Sequence, residues 1–126
     1  MDNVIQFRPV ELIFMDASHL TELARDKGAL RAEYIANTAL EEIAERLTMA
    51  EAAWAAGEFL RLQKLARLLV GMSEQMGMET LTKIAAMVAE AASGLDDVAL
   101  AALVARLIRV GEGSLSAIWD IGTLRL

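Results

Sequence analysis

Cysteine is absent from the 126 residues, which excludes disulfides and thiolate chemistry. Proline occurs once, at Pro9, so nothing beyond the first ten residues forbids a long helix. Aromatics make up 5 % of the chain and β-branched residues are thinly spread, which argues against a sheet core. The single histidine, His19, has no partner of the kind that metal sites or nucleophilic triads require. No uncharged apolar run reaches the length of a membrane span. The most apolar stretch, Val98 to Val110, is short and carries Arg106 and Arg109. No Lys/Arg block stands out and the net charge is −6, so nucleic acid is not expected as a partner. Met1-Asp2-Asn3 lacks the basic start of a signal peptide, and the expected location is cytoplasmic.

The chain is rich in alanine and leucine, with 56 % apolar residues. These two residues lose least on entering a helix, so an all-α domain is expected. Residues 1–14 stand apart: Ile5, Phe7, Val10, Leu12 and Phe14 follow an approximate period of two around Pro9, the pattern of an extended arm. Residues 15–126 then form one helical bundle, with a tail from about residue 111.

Asp16 or Ser18 can cap a short first helix that ends near Gly28. A second helix is expected from about Ala29 to Ala56, with Leu30, Tyr34, Leu40, Ile43, Leu47 and Trp54 at helical intervals. Gly57-Glu58 breaks it. A third runs from about Phe59 to Met76 and ends at Gly77. A fourth runs from about Glu79 to Ala92, with Leu81, Ile84, Ala85 and Val88 inward. Ser93-Gly94 turns the chain, and Asp96 caps a fifth helix that lasts to about Val110, where Gly111 and Gly113 loosen the start of the tail. Met72, Met76, Met78 and Met87 read as core fillers. Long amphipathic segments joined by short glycine turns predict an antiparallel up-and-down four-helix bundle with a short additional N-terminal helix. The fifth helix is apolar nearly all round. Its second face, Val98, Ala102, Ala105 and Ile108, calls for a cover: the N-terminal arm, the tail around Trp119, or a second subunit.

The third helix carries the most information. At about 100° per residue, Leu62, Ala66, Leu69 and Ser73 point inward, while Leu60, Lys64, Arg67, Leu68, Gly71 and Glu74 point outward. Gly71 in mid-helix costs about 1 kcal/mol relative to alanine. It is either a tolerated glycine or a place where another molecule approaches closely.

Gly57-Glu58-Phe59, Ala66-Arg67-Leu68-Leu69-Val70-Gly71 and Gly77-Met78-Glu79-Thr80-Leu81 together resemble the histidine-containing phosphotransfer (HPt) family. That family pairs a Gly-Asp-aromatic turn with Ala-His-x-Leu-Lys-Gly and a second glycine six residues on. Gly94-Leu95-Asp96, Ser18-His19-Leu20 and Gly28-Ala29-Leu30 are similar to other family turns and helix starts. The resemblance covers about residues 16 to 110 and implies an HPt-like bundle in bacterial two-component signalling. The chain departs from the family at two positions: Arg67 stands at the phospho-accepting histidine and Val70 at the lysine. An imidazole can attack an aspartyl phosphate, whereas a guanidinium stays charged and has no free lone pair. The expectation is therefore no phosphotransfer, no enzyme activity, no cofactor and no metal. Leu60, Lys64, Arg67, Leu68, Gly71 and Glu74 would form a docking face for a response-regulator receiver domain, with Arg67, Val70 and Gly71 marking the degenerate phosphosite. His19, on another helix, reads as a surface or capping residue. The other expectation is a helical oligomerisation module, with a homodimer through the fifth helix or the N-terminal arm. Glu41-Glu42 and Asp96-Asp97 read as helix-surface and cap charges.

Overall fold

A computed structural model describes residues 18–94 and 96–124, and every regular element in it is an α-helix. The helices are α1 (Ser18–Lys27), α2 (Ala29–Ala55), α3 (Phe59–Gln75), α4 (Glu79–Ala91) and α5 (Asp97–Leu124). The N-terminal arm expected at residues 1–14, and Asp16, lie outside the described residues.

Glycine decides two of the turns. Gly57 and Gly77 adopt φ of 74° and 71°, a left-handed conformation that costs other residues a Cβ clash. At the first, Gly57 N–H donates to Trp54 C=O and Glu58 N–H to Ala53 C=O. At the second, Gly77 N–H donates to Glu74 C=O and Met78 N–H to Ser73 C=O. This double bond pattern satisfies the end carbonyls of α2 and α3 and lets the next helix start within two residues. At the start of α5, Ala99 N–H donates to Asp96 Oδ1 at 3.0 Å, the side-chain cap read from the sequence.

Packing follows the chain: α2 on α3, α3 on α4, α4 on α5, with α5 also on α2 and α1 laid against α2. The core between them is aliphatic, built from residues such as Ile43, Leu62, Leu69, Leu81, Val88 and Leu107.

Three expectations are corrected. The first concerns α5, which does not end near Val110 but runs unbroken through Gly111 and Gly113 to Leu124. Gly111 is buried there because α2 approaches closely: a β-carbon on it would lie 2.5 Å from Leu47 Cδ1. This glycine admits a neighbour instead of ending a helix. The continuous helix also keeps the segment around Trp119 from folding back over Val98, Ala102 and Ala105, which stay exposed while Ile108 is half-buried. The Trp119 side chain itself lies outside what is described. The second correction is that Leu30 and Tyr34 fall on the α2 stripe yet are 84 % and 71 % exposed. With 27 residues against 17, α2 outruns α3 by about 15 Å at 1.5 Å per residue, so its first turns have no α3 beside them. The third is Met87, which is exposed because it sits well off the inward arc of Leu81, Ile84, Ala85 and Val88. Met76 and Met78 are buried as expected, and Met72 is half-buried.

Candidate docking face on the third helix

Every inward residue of α3 is a helical step from the next: Leu62, Leu65, Ala66, Leu69 and Ser73 are all buried. Two polar contacts with α4 hold the rotation of the helix about its axis. Near its start, Gln63 Nε2 donates to Ala89 C=O at 3.0 Å, meeting a carbonyl at the end of α4. Ten residues on, the fully buried Ser73 hydroxyl lies 2.7 Å from Thr82 Oγ1 and 2.6 Å from Leu69 C=O. A relay from Thr82 to Ser73 to Leu69 C=O uses both hydroxyl protons, and among the described residues no buried side-chain polar atom lacks a partner. With both ends held, α3 presents a defined outer face.

That face carries Leu60, Lys64, Arg67, Leu68, Gly71 and Glu74, all exposed, with Leu60 at 66 % and Leu68 at 52 %. Val70 is half-buried against the core and lies beside this face, not on it. Arg61, which the motif does not single out, is exposed as well and extends the basic stripe. On a wheel it falls at the edge, next to Leu68. An open depression at the start of α3 is bordered by Gly57, Glu58, Phe59, Leu60, Arg61 and Lys64.

The electrostatics are local and of one sign. The helix has three cations, Arg61, Lys64 and Arg67, against one acid, Glu74, in a chain whose net charge is −6. Among the described residues none of the three cations has an ion-pair partner. The positive N-terminal end of the helix dipole adds to the same side.

Gly71 is the most informative residue of the face. A β-carbon there would meet nothing within 4 Å, so the fold does not require glycine at this position. Gly71→Ala is expected to stabilise the domain by about 1 kcal/mol in chemical denaturation, since an exposed helix interior favours alanine by that amount. A loss of stability would assign Gly71 a structural role.

His19 lies on α1, and its side chain is outside the described residues. Among the described residues no group of three or more histidine or acidic side chains is placed to hold a metal ion. Among them, no helix is long and apolar enough to cross a membrane. No family model, curated protein or solved structure matches the chain.

Proposed function

We propose that the chain is an HPt-like two-component signalling protein that has lost phosphotransfer and acts as an adaptor docking on response-regulator receiver domains in the cytoplasm. One observation carries this reading: an exposed, basic-centred and apolar-flanked helix face with Arg67 where the motif calls for histidine. A receiver domain offers an acidic pocket in an apolar surface, and Arg67 with Lys64 matches it in charge while Leu60 and Leu68 match its rim. The finer fold reading belongs with this proposal. It takes α2 to α5 as an antiparallel up-and-down four-helix bundle, with α1 as a short addition. The circuit of packed pairs and the two-residue glycine turns support it.

Competition tests the function. With a receiver and its authentic histidine donor, added chain is expected to slow phosphotransfer without itself becoming labelled. If it slows transfer to no receiver at a concentration well above the donor's, docking is refuted.

A second reading, a helical oligomerisation module with no receiver partner, draws on the exposed Val98, Ala102 and Ala105 of α5. Solution mass separates the two. A tight dimer that buries the outer face of α3 supports the second reading and closes that face to receivers.

A further inference from the structure

Arg61, Lys64 and Arg67 follow one another at intervals of three residues, all exposed and none paired with an acid among the described residues. The only acid on α3, Glu74, lies at its far end. Like charges within two helical turns repel, so the fold itself gains nothing from this spacing. An anion brought by a partner would relieve that repulsion.

The charge of the whole chain narrows the choice of anion. A membrane surface or a nucleic acid presents negative charge over tens of ångströms and would repel a chain of net charge −6 at distances up to the Debye length, about 8 Å in physiological salt. A compact anion on a protein surface meets only the local cations. A guanidinium offers five donors in a planar fork that fits a phosphate, keeps its charge throughout the physiological range and has no lone pair with which to take a phosphoryl group. Three cations within two turns exceed what one carboxylate needs and suit a group of higher charge. Gly71, one turn beyond Arg67, leaves open space for an incoming loop.

Resting on the receiver-docking reading, we infer that this face distinguishes the phosphorylation state of its partner: Arg67, supported by Lys64 and Arg61, binds the aspartyl-phosphorylated receiver in preference to the unphosphorylated one and leaves the phosphate in place. The chain is then a reader of the phosphorylated state.

The test uses the full chain in calorimetric titration against receivers, each with magnesium alone and with magnesium plus beryllofluoride as the phosphate mimic. The expected result is roughly tenfold tighter binding with beryllofluoride, within the usual range of coupling between two ligands, and a ratio that shrinks as salt rises. Arg67→Gln is expected to weaken both forms and bring the ratio to about one, whereas Arg31→Gln, exposed on α2 away from this face, leaves the ratio unchanged. Equal affinity for both forms, or tighter binding of the unphosphorylated form, overturns phosphate recognition while receiver docking stands. Absence of binding to every receiver in both forms overturns docking and this inference together. Binding to phosphatidylglycerol vesicles that Arg67→Gln abolishes, with no receiver bound, overturns both in favour of a membrane surface.

Discussion

Gly111→Val is expected to lower the stability of the domain by about 3 kcal/mol, a large share of the roughly 5–15 kcal/mol that holds a domain of this size. A β-carbon at this position would lie 2.5 Å from Leu47 Cδ1, 2.9 Å from Cδ2 and 3.3 Å from Cγ, so the whole end of Leu47 must move. Leu47 is 4 % exposed and has core neighbours in its way. Alanine would gain about 1 kcal/mol in helix propensity and lose about 1–3 kcal/mol by overpacking, a modest net loss. Valine adds two γ-methyls and the poorer helix propensity of a branched side chain, so its loss is larger. Urea unfolding followed by circular dichroism measures it. Leu47→Ala in the Gly111→Val background should return part of the loss, because the two residues share one space. An unchanged midpoint for Gly111→Val would contradict the close approach of α2 and α5.

Arg67→Glu is expected to weaken binding to a receiver by about 30-fold or more, equivalent to roughly 2 kcal/mol. The change removes a guanidinium from an acidic pocket and puts a repelling carboxylate in its place. Stability should stay within about 0.5 kcal/mol of the parent, because Arg67 is exposed and has no ion-pair partner among the described residues. A binding defect without a stability defect is the signature of a docking residue. The difference between the two proteins should narrow as salt rises, since an exposed charge contact is screened. Unaltered affinity in calorimetry would place Arg67 outside the interface.

The parts of this molecule legible from sequence are those set by local chemistry. Gly57 and Gly77 mark chain reversals because the left-handed conformation is cheap only for glycine, and the limits of α2, α3 and α4 fall within a residue of those read from periodicity. The buried arc of α3 from Leu62 to Ser73 is legible for the same reason. Periodicity groups residues on one face but does not say whether a neighbour covers it. Leu30 and Tyr34 therefore share a stripe with Ile43 and Leu47 while remaining exposed, because α3 ends short of them. Gly111 shows the opposite failure. A glycine late in an apolar helix looks like a terminus, and only the position of Leu47 on another helix reveals that it admits a neighbour. On the candidate face, the six outward residues are those a helical wheel places there. Arg61 sits at the edge of that wheel, and its weight comes from charge. The contacts that hold the face, Gln63 with Ala89 and Ser73 with Thr82, join residues on separate helices, and no local pattern announces them.

The most direct test of the docking proposal is an NMR titration of the labelled full chain with a panel of receiver domains from the same organism. The expected result is that amide shifts cluster on Leu60, Lys64, Arg67, Leu68 and Gly71 for at least one receiver and are lost in Arg67→Glu. Shifts with no receiver, or shifts confined to the exposed Val98, Ala102 and Ala105 face of α5, would contradict it.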